Sequence, residues 1–311
     1  MNIIIPGQYP RSEALVAATR QFDRKQLTAE RLKVIIKKDE EDFKNLQSDF
    51  AYRSTGLFQW QDLLRPFVEI IDGAESGSLK RFYETNLFWR ELKCAGKWQI
   101  KSTLLDEWIN KWFLPERLYE ESDPMIFTLP FLYLFRTFAK VSLNDAATII
   151  KIVAERLTAF CNKALCFIEP TIGWKQLTEE EKKIGISLLK EIRKSARGPV
   201  FFCTAFFSIE NEKDFLYELP VDGIGIDFFA NSTKVLKQFP TDQILLAGVL
   251  RTDSTSIETP EQLNGFMKVL GDEMNSESLY FMPSGIAELL PRVTMDAKLE
   301  ALKEFACNCI R

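Results

Sequence analysis

Short runs of β-branched and aromatic residues alternate along the chain with longer segments in which apolar residues recur at helical spacing. Such alternation is typical of βα units that build a parallel sheet. The predicted strands are residues 3–5, 51–52, 126–129, 165–168, 200–204, 223–228, 244–249 and 279–282. Eight segments of this kind favour a closed sheet. We therefore predict an α/β fold of the (β/α)8 TIM-type barrel class.

The segments between the predicted strands have the amphipathic period of helices. Helices are predicted over residues 28–46, 104–118, 143–162, 178–195 and 294–306. Thr178 precedes three consecutive glutamates, a pattern typical of a capped helix N-terminus whose dipole favours acidic residues. The final helix follows the last predicted strand, as the fold requires.

A length of 311 residues is ordinary for one barrel with insertions, so we expect a single domain over residues 1–311. Residues 56–112 are rich in aromatic side chains and lack a clear period. We interpret this region as long βα insertions in the N-terminal half that cover one face of the barrel.

The amino-acid composition and charge argue against several classes of protein. Hydrophobic residues make up 46% of the chain and charged residues 27%, the balance of a globular protein with a large core. The net charge is −4 and the charges are interspersed, so neither a nucleic acid nor a membrane surface is expected as a partner. No apolar run approaches the roughly 20 residues of a membrane span.

Cysteine usage predicts a reducing compartment, and we expect the protein to be cytoplasmic. The sequence has six cysteines and no CxxC pair. The apolar run at its start is too short for the hydrophobic region of a signal peptide. Histidine is absent, which excludes Ser/His/Asp and Cys/His catalysis and every histidine-containing zinc site. No phosphate-binding glycine motif occurs, so NAD and ATP are not expected as ligands.

Polar residues that directly follow barrel strands face the active-site end of this fold. Glu169 ends one predicted strand and Asp227 ends another. Glu169 could serve as a general base or substrate anchor, or could bind backbone amides of its loop. Asp227 could face a ligand or form a structural salt bridge.

Two further segments carry candidate binding residues. Phe58, Trp60 and Asp62 follow a predicted turn and could clamp a flat heterocycle, although either ring alone is more typical of the core. Arg11 follows the first strand and could meet an anionic ligand, a carboxylate or only solvent. Cys203 ends a strand without an adjacent base and is expected to be an inert buried thiol.

Taken together, several segments resemble the cobalamin-independent methionine synthase family over nearly the whole chain. They are Tyr9-Pro10-Arg11, residues 56–62, Glu84-Thr85-Asn86, Glu169-Pro170, residues 219–227, Leu246-Ala247-Gly248-Val249 and Pro283-Ser284. That family has two similar barrels, and the C-terminal barrel binds zinc and homocysteine and transfers the methyl group. The spacing of Gly56, Phe58, Trp60 and Asp62 is similar to the N-terminal, non-catalytic barrel, here as a stand-alone chain.

The resemblance implies a zinc site of a His-x-Cys pair, a glutamate and a second cysteine. Zinc would hold the homocysteine sulfur as a thiolate. Those positions read Cys203, Ala205, Asp227 and Gly285 in this chain. Two of them cannot bind a metal, so we expect no metal cofactor.

The family's homocysteine anchors are also incomplete. Leu57 and Ile168 stand where acids are expected, and Glu169 alone remains. The resemblance adds Asn86, within Glu84-Thr85-Asn86, to the substrate-binding candidates.

Three functions remain open at the level of sequence, and with them the question of whether the chain is itself a methyltransferase. The first is a zinc-free subunit that acts with a separate zinc-bearing methionine synthase chain in methyl transfer from folate or another donor to homocysteine. In that case Arg11 is the candidate contact for an anionic donor tail. The second is a non-enzymatic structural or regulatory partner. The third is different small-molecule chemistry that uses Glu169 and Asp227 as an acid and base pair.

Overall fold

The computed structural model describes residues 2–114, 119–120, 122–159 and 163–309, with side chains described as far as residue 306. The strands in the described residues are β1 (Asn2–Ile3), β2 (Ala74–Arg81), β3 (Phe88–Cys94), β4 (Ile126–Pro130), β5 (Ala164–Ile168), β6 (Val200–Cys203), β7 (Gly223–Asp227), β8 (Ile244–Leu250) and β9 (Leu279–Pro283). The α-helices are α1 (Glu13–Asp23), α2 (Ala29–Leu46), α3 (Leu105–Phe113), α4 (Leu132–Phe138), α5 (Leu143–Thr158), α6 (Glu179–Ser195), α7 (Lys213–Tyr217), α8 (Pro260–Glu273) and α9 (Arg292–Cys309).

Seven strands form one curled parallel sheet in the order β1-β9-β8-β7-β6-β5-β4. The two edges of this sheet are joined by residues 51–53. The Ala51 amide donates to the Ile3 carbonyl at 3.0 Å, and the Ile126 amide donates to the Arg53 carbonyl at 2.8 Å. This segment therefore occupies the eighth position of the ring, and the predicted TIM-type barrel is confirmed.

The predicted strand at residues 51–52 pairs with its neighbours over a much shorter length than the other barrel strands do. Arg53 makes one isolated parallel bridge to Met125, beyond the predicted range. The other seven barrel strands were each predicted at their observed positions within a few residues. Strands β4 to β7 are fully buried, and apart from Thr128 and the terminal Asp227 their residues are apolar, as expected for strands covered on both faces.

Helix starts follow local capping chemistry. The Thr178 amide donates to the Glu181 carboxylate at 2.7 Å, and the Glu181 amide donates to the Thr178 hydroxyl at 3.2 Å, which completes a capping box at the start of α6. The predicted helices correspond to α2, α3, α5, α6 and α9. Parts of two predictions, residues 115–118 and 160–162, lie outside the described residues.

The aromatic-rich region between residues 56 and 112 folds as an antiparallel hairpin of β2 and β3 together with α3. Its rings pack on one another, with Trp60 and Phe113 centroids 5.2 Å apart and Phe67 and Trp108 centroids 5.3 Å apart. The Trp108 indole donates to the Pro66 carbonyl at 2.8 Å. Most of these aromatic side chains are therefore core.

Among the described residues, no helix combines the length and the apolar composition that crossing a membrane would need.

The capping box of α6 gives a stability prediction. Thr178→Ala removes the hydroxyl that accepts from Glu181, and we expect the free energy of unfolding to fall by about 1 kcal/mol. Urea denaturation followed by circular dichroism measures the change. Thr178→Ser retains the hydroxyl and should stay within about 0.5 kcal/mol of the parent. Equal stability of the Ala and Ser variants would contradict the prediction.

Candidate functional site

Glu169 follows β5 at the carboxyl end of the barrel, and its side chain is fully buried. One carboxylate oxygen accepts the Leu134 amide at 2.8 Å, and the other accepts the Thr171 amide at 3.0 Å. Burial raises the pKa of Glu169 to about 7 even though these hydrogen bonds favour the charged form. Glu169 thus fixes the start of α4 and its own loop.

Asp227 ends β7 and is similarly engaged. Its oxygens accept the amides of Phe229 at 2.8 Å, Ala230 at 3.3 Å and Phe206 at 3.2 Å. Burial raises its pKa to about 6, while the three amides act in the opposite direction. The amide-binding alternative considered for Glu169 matches its contacts, and Asp227 also accepts backbone amides in place of the salt bridge considered for it.

Aromatic side chains fill the space above the strand ends. Phe82 and Tyr83, at the tip of the β2–β3 hairpin, are both buried. The Phe82 ring lies 5.7 Å from Phe138 and 6.2 Å from Phe206, measured between centroids. The Tyr83 hydroxyl hydrogen-bonds to the Thr171 hydroxyl at 2.5 Å. The hairpin tip consequently covers the barrel mouth next to the Glu169 loop.

Two residues of this cover have left-handed backbone conformations, with φ of 48° at Tyr83 and 68° at Phe206. Such conformations cost on the order of 1 kcal/mol or more in residues other than glycine. The Phe206 ring packs directly on Gly285, where an added Cβ would lie 2.5 Å from the ring. The mouth is therefore closed by packing that requires glycine at position 285.

The residues at the four family zinc positions do not fit a zinc ion. The Cys203 sulfur contacts two other sulfurs, Asp227 accepts three amides, and Ala205 and Gly285 supply no ligand atom. Any larger side chain at Gly285 would meet Phe206. Within the described residues, no group of three or more His, Cys, Asp or Glu side chains is placed to hold a metal.

The remaining sequence candidates lie in structural positions. Asp62 is buried, accepts the amides of Leu64 and Arg65 at 3.0 and 2.7 Å, and pairs with the Arg65 guanidinium at 3.3 Å. Phe58 and Trp60 are both in the core. Asn86 is exposed in the hairpin turn, where its side-chain oxygen accepts from Arg81 at 3.4 Å.

Arg11 differs from these because it lines an open groove of about 970 Å³. The groove runs between the loop after β1, the loop after β9, and helices α1 and α9. Neither Glu169 nor Asp227 is among its lining residues. Its walls combine charged and apolar side chains. The charged residues are Arg11, Glu13, Arg20, Glu288, Arg292, Asp296 and Glu300, and the apolar residues include Val16, Ala17, Leu87, Leu290, Pro291 and Val293.

Glu288 is the residue of this groove that sequence reasoning missed. Its side chain is 9% exposed, it lies 3.7 Å from Arg11, and its second oxygen has no hydrogen-bond partner among the described residues. Burial raises its pKa to about 7, the Arg11 charge lowers it, and Asp62 raises it further. The signal was its place five residues after the end of β9, on the active-site end of the barrel.

Across the groove, the Arg292 side chain is held by contacts with other residues of the protein. Its guanidinium pairs with Asp296 at 2.8 Å and lies over the Tyr9 ring, 5.0 Å from the centroid. The Tyr9 hydroxyl donates to the same Asp296 at 2.6 Å. Among the cations of the groove, Arg11 is therefore bound less closely than Arg292, and its fork of donors remains available to an anionic group.

Solved structures with the same fold are of similar length to this chain. A B12-independent methionine synthase from Shewanella sp. W3-18-1, in complex with selenomethionine, has a TM-score of 0.74 at 15% identity, over 92% of this chain and 90% of that chain. A putative vitamin-B12 independent methionine synthase from Listeria monocytogenes has a TM-score of 0.74 at 13% identity, over 99% and 98%. A methyltransferase from Methanosarcina mazei has a TM-score of 0.63 at 12% identity, over 98% and 94%.

At these identities the likeness establishes the fold: this chain is built as the barrel seen in methionine synthase and methyltransferase structures. No family model matches the sequence, and no curated protein sequence matches it.

The buried Glu288 predicts a pH dependence of stability. Because its pKa is raised to about 7 in the folded protein from 4.5, the folded state binds the proton more tightly than the unfolded state. Ionisation of Glu288 therefore lowers the free energy of unfolding as the pH rises from about 4.5 to 7. The loss is on the order of 3 kcal/mol.

Glu288→Gln should remove this component, so the gain in unfolding free energy over the parent should be larger at pH 7.5 than at pH 4.5. Urea denaturation at both pH values measures it. Glu300→Gln, at an exposed acid of the same groove, is the matched control and should leave the difference unchanged. Parallel pH profiles for the parent and Glu288→Gln would refute the assignment.

Proposed function

We propose that this chain is a methionine-synthase-like barrel that lacks a zinc site of its own and acts as a subunit or partner in methyl transfer. A separate, zinc-bearing methionine synthase chain would bind homocysteine and carry out the transfer. The methyl donor would be folate or another small molecule. The proposal rests on the fold likeness together with the failure of the zinc positions to form a site.

The zinc positions carry the first half of this argument. A thiolate is the reactive form of homocysteine, and zinc stabilises that form at neutral pH. Here the ligand atoms are replaced by the Ala205 methyl group and by Gly285, whose position is covered by the Phe206 ring. A side chain able to bind zinc at position 285 would have to displace this ring. Transfer by the lone chain therefore lacks its activating ion.

The groove at Arg11 supports a donor-binding role. Arg11 is the candidate contact for an anionic donor tail, and it lies beside apolar residues such as Leu87 and Val293 that could pack on a ligand body. In the protein without a ligand, Glu288 is the acidic side chain nearest to the Arg11 guanidinium among its ion pairs, at 3.7 Å. An anionic group that reached Arg11 would compete with this loose pair.

The other two hypotheses find less support in the geometry. The carboxylate oxygens of Glu169 and Asp227 accept hydrogen bonds from backbone amides, so neither side chain is placed to move a substrate proton. The aromatic rings of residues 56–112, which would have to be exposed to form a partner interface, are mainly buried within the chain, while Phe88 is half exposed at 51%. No specific observation favours either function over the first.

The proposal predicts a dependence on a second chain. Protein purified in the presence of zinc should carry substoichiometric zinc by inductively coupled plasma mass spectrometry. It should not methylate homocysteine alone. Methionine formation by a zinc-bearing family member should rise when this chain is added, and Arg11→Ala should reduce the rise because the donor contact is lost.

Arg20→Ala, at another arginine that lines the groove, serves as the matched control for the loss of one positive charge. Stoichiometric zinc with activity of the lone chain would refute the central claim. No effect on the zinc-bearing enzyme would refute the subunit role and favour a non-enzymatic partner of a different process.

A further inference from the structure

Inside the barrel, the Cys203 sulfur contacts the sulfurs of two other residues. The Cys203 sulfur of β6 lies 3.4 Å from the Cys166 sulfur of β5 and 3.8 Å from the Met282 sulfur of β9. All three residues are buried, and both cysteines are free thiols. Since β6 and β9 are not neighbours in the sheet, the contact with Met282 crosses the barrel interior.

Gly225 of β7 provides the space for this cluster. A Cβ at that position would lie 2.6 Å from the Cys203 sulfur and 2.7 Å from the Met282 methyl carbon. Real contacts of this kind are not that short, so any other residue would push the sulfurs apart. The glycine therefore holds open the side of the interior where the two residues meet.

The spacing of the sulfurs matches that of ligands around one ion. Ligand sulfurs about 2.3 Å from a metal lie about 3.8 Å apart at a tetrahedral angle. The two separations from the Cys203 sulfur, 3.4 Å to Cys166 and 3.8 Å to Met282, are close to this value, so both other sulfurs lie at ligand spacing from Cys203.

The three sulfur ligand atoms determine which metal ion the site would favour. Thiolate and thioether sulfur are soft ligands that favour Cu(I) over harder divalent ions. Exchange of one thiol proton for a monovalent ion leaves the net charge of the buried cluster unchanged, which avoids the large cost of burying a charge. Zinc would add a charge or require loss of both protons, and it prefers four ligands.

We propose that Cys166, Cys203 and Met282 form a binding site for one soft monovalent metal ion, Cu(I) or its analogue Ag(I). Binding forms three metal–sulfur bonds and releases one thiol proton to solvent, with no change in the oxidation state of the ion. Cys203 is the last residue of β6, so the site lies toward the covered mouth of the barrel. The proposal is independent of the methyl-transfer role.

The test uses the full chain with the other cysteines replaced by serine, so that only the cluster can supply thiolates. These substitutions are Cys94→Ser, Cys161→Ser, Cys307→Ser and Cys309→Ser. Cu(I) is added without oxygen in the presence of bathocuproine disulfonate, a coloured Cu(I) chelator. We expect one Cu(I) per chain to be withheld from the chelator. X-ray absorption should show sulfur ligands alone.

In this background Met282→Leu keeps the volume but removes the thioether, and the affinity should fall at least about tenfold. Cys203→Ala or Cys166→Ala should abolish retention. Met267→Leu, at a partly buried methionine outside the cluster, is the matched control and should bind as the parent does. Circular dichroism establishes that each variant is folded.

No Cu(I) withheld by the folded background protein would overturn the proposal. So would retention that survives both cysteine substitutions, or an affinity that is the same with leucine or methionine at position 282. Binding of Zn(II) with equal strength would overturn the assignment to a monovalent ion. If one cysteine variant does not fold, the Met282 and Met267 pair still decides between these outcomes.

Discussion

The barrel depends on residues 51–53, which hydrogen-bond to β1 on one side and to β4 on the other. The hydrogen bonds from Ala51 to Ile3 and from Ile126 to Arg53 turn a curled sheet into a ring, although this segment supplies only one isolated bridge. Once the ring is closed, the strands are buried on both faces, and polar groups at their ends must find partners within the protein. Much of the chemistry at the mouth follows from this constraint.

Glu169 and Asp227 illustrate the consequence. Each stands where barrel enzymes place catalytic groups, yet each accepts backbone amides from loops that would otherwise leave buried donors without partners. Their raised pKa values arise from the same burial. A perturbed pKa at the end of a strand therefore identifies a desolvated carboxyl group, and its hydrogen bonds decide whether the group is free to react.

The aromatic hairpin and the groove divide the active-site end of the barrel. Phe82, Tyr83 and Phe206 cover the centre, where a catalytic barrel would need access for its substrate. An open groove lies at the edge, between α1 and α9, where Arg11 and Glu288 lie 3.7 Å apart. The centre of this barrel mouth is therefore occupied by packing residues, and open space lies beside it.

The sequence by itself determined the alternation of strands and helices, the capped start of α6, and the absence of a metal-binding side chain at Ala205 and Gly285, because these depend on local pattern and residue chemistry. Arg11 was also placed at the correct end of the barrel. Only tertiary structure decided that Glu288 would face Arg11, that Phe206 would cover Gly285, and that Cys166, Cys203 and Met282 would meet. Those contacts join residues far apart in the chain, and their distances depend on how the ring closes and how side chains fill its interior, which no local pattern encodes.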